Sequence, residues 1–170
     1  MFYRAIKKGR EPVNEDQISQ YITATFEGVD SVVDSDNSFY FYNPDSSVPP
    51  DHRFPFVTLM TNDLNDQFSN LNRPSVFRLN IGISKQTFRS LFGSPKLPAY
   101  GDSGAESSEN ASGYDFTALD QLMPHPVYGR MLWVCILNPG DETFETKVRP
   151  LLAEAYEMAV SKYRRKAARR

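Results

Sequence analysis

The sequence is poor in the residues that build disulfides and metal sites. Its 170 residues include one cysteine, Cys135, and two histidines, His52 and His125. A single cysteine excludes an intrachain disulfide, and its position in the apolar run MLWVCILNP predicts a buried, inert thiol. The three side chains fall on separate predicted elements, so neither a metal site nor a cofactor is expected.

Several catalytic and targeting patterns are also missing. The sequence has no P-loop, no G-x-G-x-x-G and no G-x-S-x-G, so nucleotide-dependent chemistry and a serine nucleophile lack support. No apolar run approaches the roughly 20 residues that span a bilayer, and the N-terminal MFYRAIKKGREP lacks the apolar stretch of a secretory signal. These absences predict a cytoplasmic protein that does not associate with a membrane.

Charge is distributed unevenly along the chain. The net charge is −2 overall, +3 over residues 1–12 and +6 over residues 162–170, which leaves −11 on residues 13–161. Because an acidic body repels phosphate backbones, we expect nucleic-acid binding only from the basic ends, at low specificity. The tail KYRRKAARR has three interpretations: cations that complement a helix C-terminus, a frayed basic arm, or an appended extension.

Length and composition predict one domain. A chain of 170 residues that is 40% apolar fills one core but not two. We divide it into a basic N-terminal segment (1–13), a single domain (14–161) and a basic tail (162–170). Residues 94–114 are rich in Ser, Gly, Pro and Ala and are predicted to form a flexible insertion.

Hydrophobic periodicity predicts a helix near each end of the domain. Asn14 and Gln17 have capping-box spacing before an amphipathic segment that stops at Gly28. The strongest helical pattern begins near Asp141 and continues through Tyr163. Two shorter helices are predicted over residues 85–92 and 115–122.

Strand-like segments lie between these helices, over residues 29–33, 39–42, 54–61, 76–84 and 131–137. In the fourth segment Leu79 and Ile81 alternate with Arg78 and Asn80, so one face meets the core and the other is polar. The last segment is apolar on both faces, which places it centrally in a covered sheet or against a partner, so monomer and homodimer both stay open. The prediction is an α+β fold, with one mostly antiparallel sheet flanked by the N- and C-terminal helices.

Donor and aromatic side chains gather around two of the strand segments. They are Arg78, Asn80, Lys85, His125, Tyr128 and Trp133. A few fixed donors beside aromatic walls are typical of a small-molecule or anion pocket. We therefore predict a non-catalytic binding module in which Arg78 and Lys85 hold an anionic or carbonyl group. Tyr40 and Tyr42 would join the site if their strand lay next to it, and the simpler alternative is a solvated sheet face beside a core tryptophan.

Two other functions stay open at this point. His125 could serve as the general base of a hydrolase assembled from distant residues, although no catalytic motif announces one. The basic ends could instead bind nucleic acid.

The chain also resembles a known family. FYFYNPD, FPFVTLMTND, NRPSVFRLNIGISKQTFRSLFG, DFTALDQLMPHPVYGRMLWVCILNP and VRPLLAEAYEMAV resemble, in order and over most of residues 14–163, the family called domain of unknown function 6194. That family supplies no function to transfer. Over residues 125–160, the His-Pro-x-Tyr turn, the tryptophan-containing strand and the Ala-Tyr helix are similar to MmcQ/YjbR-like proteins. This second resemblance implies a small α+β domain with an antiparallel sheet and flanking helices.

Overall fold

A six-stranded antiparallel sheet organises the protein, whose computed structural model describes residues 12–97 and 113–169. The strand order is β1-β2-β3-β4-β6-β5, so β4 and β6 lie in the interior and β1 and β5 at the edges. The strands are β1 (Val29–Asp34), β2 (Asn37–Tyr42), β3 (Val57–Met60), β4 (Arg78–Gly82), β5 (Met123–Pro124) and β6 (Trp133–Leu137).

Helices precede, interrupt and follow the strands. They are α1 (Glu15–Thr25), α2 (Lys85–Phe92), α3 (Asp141–Thr143) and α4 (Arg149–Ala167), with a π-helical turn (Phe144–Val148) between α3 and α4. Short 3-10 turns cover Pro50–His52 and Gly129–Met131.

The capping box predicted for α1 is confirmed. The Asn14 side chain accepts the Gln17 N–H, and the Gln17 side chain accepts the Asn14 N–H, both at 2.9 Å. These two bonds satisfy amide groups that the first helical turn would leave unpaired. Ile18 and Ile22 lie one turn apart on α1 and are fully buried against the sheet.

The long C-terminal helix is also confirmed, and it extends further than its apolar pattern. Pro150 is the second residue of α4, which directly follows the π-helical turn, so its missing N–H falls where the hydrogen-bond pattern changes from π to α. Leu151, Leu152 and Ala155 are buried on the sheet. Because α4 continues to Ala167, most of the basic tail is helical and not a frayed arm.

α1 and α4 cover one face of the sheet, here called the helix face. Tyr40, Leu79 and Ile136 lie in that core together with α1 and α4 side chains. The predicted α+β fold, an antiparallel sheet with helices from both ends of the domain, is confirmed. The more specific assignment to the MmcQ/YjbR-like fold stays a prediction.

Loops cover the opposite face, here called the loop face. Its apolar cluster consists of Met60, Leu71, Val76, Phe116, Met123, Cys135 and Leu137. The predicted helix over residues 115–122 is wrong, because Asp115 accepts hydrogen bonds from the Thr117 N–H and hydroxyl and holds a turn. Asp120 then takes a left-handed conformation (φ 56°), and its N–H donates to the carbonyl of Leu137, the last residue of β6. Pairing with β6 therefore overrides the short helical pattern.

The predicted insertion at 94–114 lies mostly outside the described residues. On its near side, Leu97 packs against Gly129, and a Cβ placed at Gly129 would lie 2.9 Å from a Leu97 methyl group. On its far side, the Tyr114 ring meets those of Phe92 and Phe116. Of the segment predicted over residues 1–13, residues 1–11 are not described, and Val13 is buried in the core.

Candidate functional site

Three of the predicted site residues come together beneath the loop face. Arg78, Asn80 and His125 are each only 2% exposed. We call them, with Asp66, Ser69 and Thr58, the β4 polar cluster. Alternation along β4 places the first two side chains on the same face, and the loop of residues 61–76 folds over them.

The Arg78 guanidinium is the centre of the cluster. Nη1 and Nη2 donate to the two Asp66 carboxylate oxygens at 3.0 and 2.6 Å, a two-pronged ion pair. Nη1 also donates to the Ser69 hydroxyl at 2.8 Å, and Nε donates to the Asn80 Oδ1 at 3.0 Å. The Asn80 amide donates in turn to Thr58 at 3.0 Å. The anion that Arg78 holds is therefore Asp66 of the same chain.

Mutual stabilisation keeps this pair ionised despite its burial. Burial disfavours ionised Asp66, but the hydrogen bonds and charge of Arg78 outweigh it and leave the Asp66 pKa below its usual value. Burial likewise opposes the charge on Arg78, and Asp66 overcompensates, so that the Arg78 pKa is raised. The cluster thus contains one fixed positive and one fixed negative charge.

Sequence reasoning missed Asp66 and Ser69, which lie in the polar loop NDLNDQFSNLNRP. Aspartate side chains shape this loop: Asp66 accepts the Phe68 N–H at 3.3 Å in an Asx turn, and Asp63 accepts the Leu71 N–H at 2.8 Å across eight residues. The feature of the sequence that could have indicated these residues was the arginine within a predicted strand. A buried arginine needs a carboxylate partner, and the loop directly before β4 contains two aspartates.

His125 is oriented by its own turn. Its Nδ1 accepts the N–H groups of Val127 and Tyr128, both at 3.0 Å, so the proton of the neutral ring lies on Nε2. Burial first, and then the charge of Arg78, lower the His125 pKa well below 6.5 against the opposing effect of Asp66. The ring is therefore neutral at physiological pH: Nδ1 accepts two hydrogen bonds, and Nε2 carries the ring hydrogen.

Two hydrogen-bond donors meet at the end of the cluster. The His125 Nε2 lies 3.3 Å from the Arg78 Nη2, and both atoms carry hydrogen. Among residues 12–97 and 113–169, no acceptor lies within hydrogen-bond distance of the Nε2–H. A neutral ring in this arrangement also lacks the free lone pair that a general base would use, so the geometry gives the hydrolase hypothesis no support.

Cys135 lies next to the cluster, opposite Asn80 in the β4–β6 pairing. The thiol is fully buried, as predicted, and burial raises its pKa to about 12. Its nearest polar contact is the Pro124 carbonyl, at 3.7 Å from Sγ. A thiol with so little thiolate is an inert neighbour of the cluster and not a nucleophile.

The aromatic residues of the predicted site lie at the outer end of the loop face. The Tyr128 ring lies 5.0 Å from that of His125, and its residue is 41% exposed. The Trp133 indole is partly buried and lies across Gly82, where an added Cβ would come within 3.3 Å of it. The His125 backbone is bonded to β6 at this end, because its N–H donates to the Trp133 carbonyl at 2.9 Å.

Lys85, Tyr40 and Tyr42 do not join the cluster. Lys85 is exposed at the start of α2. Tyr40 is buried on the helix face, and the Tyr42 ring packs edge-on against Tyr156 of α4. The condition under which the two tyrosines would join the site is not met, because their strand is separated from β4 by β3 and their rings pack with the helices.

The described residues contain neither a metal-ligand group nor a membrane-spanning helix. Residues 12–97 and 113–169 contain no group of three or more His, Cys, Asp or Glu side chains placed to hold a metal ion. Within the same ranges, every helix is too short or too polar to cross a membrane.

Comparison with known proteins places the chain in a family. No curated protein and no solved structure matches it. A family model does match residues 13–168, which is nearly the whole sequence, and therefore includes both the β4 polar cluster and the helices. The chain belongs to the family DUF6194, a family of unknown function.

Proposed function

We propose that this domain is a binding module for a small, flat molecule that carries a neutral carbonyl or amide oxygen. The observation that carries the proposal is the contact between the Arg78 Nη2–H and the His125 Nε2–H, two buried donors 3.3 Å apart. A buried donor without an acceptor costs free energy, and an oxygen beside these two groups would satisfy both. The ligand would supply that oxygen.

Charge favours a neutral ligand over an anion. Asp66 already neutralises Arg78 through two short contacts, and its second oxygen lies 2.6 Å from the same Nη2 that faces His125. A carboxylate or phosphate brought to this point would meet the Asp66 charge, whereas a carbonyl oxygen would not. This refines the prediction from sequence, in which Arg78 and Lys85 together held an anionic or carbonyl group.

Aromatic side chains would hold the rest of the ligand. Tyr128 covers the His125 ring and remains 41% exposed, so it is the part of the site that solvent reaches. Trp133 provides a second flat surface, and Gly82 leaves room for the indole. Aromatic walls around a few fixed donors are the usual composition of a small-molecule site.

The proposal can be tested by fluorescence, because Trp133 is the single tryptophan of the sequence. Benzamide and benzoate form a matched pair of neutral and anionic probes, within a panel of flat amides and lactams. We expect neutral members of the panel to shift the tryptophan emission and raise the melting temperature, and benzamide to bind more tightly than benzoate.

Tyr128→Ala should weaken this binding about tenfold, the fold-change that corresponds to the loss of one aromatic stacking contact. Phe54→Ala provides the matched control, because Phe54 is an exposed aromatic residue on a different loop. The control should bind like the natural sequence. Equal binding by the Tyr128 variant, or a panel in which no compound shifts the emission, would contradict the proposal.

A further inference from the structure

A second feature of the molecule is a row of cations at the C-terminal end of α4. Lys162, Arg165 and Lys166 follow at i, i+3 and i+4 on α4, and Arg169 follows at i+7 in the turn directly after Ala167; all four are exposed. We call this set the basic stripe. Residues 158–169 contain no Asp or Glu, so the helix offers these cations no acidic neighbour of its own. Within the described ranges, no carboxylate lies within 4.0 Å of any of the four.

The end of α4 is anchored to the body. The Tyr163 hydroxyl donates to Asp45 at 2.8 Å, and the Tyr163 ring packs edge-on against Tyr42 at 5.3 Å. The Ala168 N–H still donates to the Arg164 carbonyl at 3.0 Å. Three of the cations are therefore presented from an ordered helix and Arg169 from the turn that closes it, which lowers the conformational entropy that a ligand would have to remove.

The neighbouring loop contributes a groove and an aromatic ring. Lys166 borders a shallow groove whose other wall is formed by residues 47–49. Phe54 is 72% exposed, and the Lys162 Nζ lies 5.4 Å from its ring centroid. Arg53 belongs to the same loop and is held by a bond from its Nε to the Val48 carbonyl at 2.9 Å.

Positive charge dominates this surface although the whole chain is acidic. The loop carries two carboxylates, Asp45 and Asp51, against the five cations of the basic stripe and Arg53. Hydrogen bonds from Ser47 and Tyr163 lower the Asp45 pKa, so that carboxylate remains charged. Cations in a last helical turn also complement the helix dipole, but the dipole requires neither a single face nor an exposed aromatic ring.

We propose that the basic stripe and Phe54 bind single-stranded nucleic acid. From Lys162 to Arg169 the stripe extends about 10 Å along the helix, enough for about two or three consecutive phosphates of one strand. A base stacked on Phe54 would complete the contact, since stacking tolerates any sequence. An anionic membrane fits less well, because the apolar face of α4 is buried on the sheet and cannot enter a bilayer surface.

The test is a titration of a fluorescein-labelled 12-nucleotide oligothymidylate with the full-length protein, followed by anisotropy at several salt concentrations. Two or three phosphate contacts predict a slope of log K against log salt of about −1.4 to −2.1 from the stripe, at about −0.7 for each contact. The triple variant Arg165→Gln, Lys166→Gln and Arg169→Gln leaves Lys162 with at most one phosphate contact, so the slope should become shallower by about 0.7 to 1.4 and binding at low salt should weaken. The basic residues at positions 1–12 are the same in every variant and contribute a constant background.

A matched control separates a local surface from net charge. The triple variant Arg89→Gln, Lys96→Gln and Lys147→Gln removes the same charge from exposed positions away from the stripe. It should keep the slope of the natural sequence. If both triple variants lose binding equally, net charge and not the stripe is responsible, and the proposal is wrong.

Phe54 tests the choice of ligand. Phe54→Leu should weaken oligothymidylate binding about tenfold without changing the salt slope, and Phe54→Tyr should restore it, because only an aromatic ring stacks on a base. An unchanged affinity in Phe54→Leu would overturn the proposal. So would binding to phosphatidylserine vesicles with no binding to the oligonucleotide, which would assign the stripe to a lipid surface.

Discussion

Replacing Arg78 with methionine should remove much of the stability of this protein. The side chain is 2% exposed and holds Asp66 through two contacts, with further bonds to Ser69 and Asn80. Methionine fills a similar volume but leaves the Asp66 carboxylate buried without a cation. Breaking a buried ion pair from one side costs about 3–5 kcal/mol. That is a large fraction of the roughly 5–15 kcal/mol that stabilises a typical domain.

The assay is urea unfolding at pH 7, followed by circular dichroism, with Arg149→Met as the matched control. The N–O distance of the Arg149–Glu145 pair is 2.7 Å, close to the 2.6 Å of the buried pair, but the two side chains of the Arg149–Glu145 pair are 40% and 42% exposed. Exposed pairs contribute up to about 1 kcal/mol, and the position of Arg149 over the Tyr21 ring adds about 0.5–1 kcal/mol. We therefore expect the control to lose about 0.5–2 kcal/mol, below the loss at Arg78.

A double variant distinguishes lost charge pairing from lost packing. Asp66→Asn in the Arg78→Met background removes the stranded carboxylate, so the double variant should be more stable than Arg78→Met alone. This variant also keeps the prediction testable if Arg78→Met does not fold. The reasoning would be refuted by a loss below about 1 kcal/mol for Arg78→Met at an unchanged urea slope, the range of an exposed pair.

Two further substitutions probe buried polar groups. His125 stays neutral in the folded state because its pKa is lowered, so below about pH 6.5 the unfolded chain binds a proton that the folded chain does not. As the pH is lowered from 6.5, the unfolding free energy should therefore fall by up to about 1.4 kcal/mol per pH unit until the folded pKa is reached. His125→Asn should flatten this slope between about pH 6.5 and 5. The control His52→Asn, at an exposed position, should keep the slope. Tyr40→Phe removes a buried hydroxyl that has no hydrogen-bond partner in the described part of the chain. Urea unfolding should show a free energy of unfolding that is higher by about 1 kcal/mol. A lower free energy of unfolding would show that the hydroxyl does make a hydrogen bond.

Local patterns were sufficient for much of the fold. The capping spacing of Asn14 and Gln17 predicts the start of α1, because those bonds form within one turn. The alternation of Leu79 and Ile81 with polar residues predicts both the strand and the face that meets the helices. Such patterns succeed where neighbours in sequence are also the interacting partners.

The contacts on the loop face join residues that lie far apart in the sequence. A single sequence does not show which of these residues interact. Asp66 reaches Arg78 through an irregular loop without periodicity, and Leu119 follows the edge of β6 although its spacing indicates a helix. Strand order has the same limitation. Tyr40 could be assigned to a strand but not to a face relative to Arg78, because the sequence does not show that β3 lies between them.

The β4 polar cluster has two ends with different roles, and this decides which variant tests which idea. At the Asp66 end, all the donors that face the loop are bonded within the chain, so Arg78 is required by the fold whether or not a ligand exists. At the His125 end, two donors face each other, and the exposed Tyr128 lies against the ring. Loss of ligand binding in an Arg78 variant would therefore only report a damaged fold. Tyr128 is 41% exposed and its side chain takes no part in the Arg78–Asp66 ion pair, so its substitution is the one that separates binding from stability.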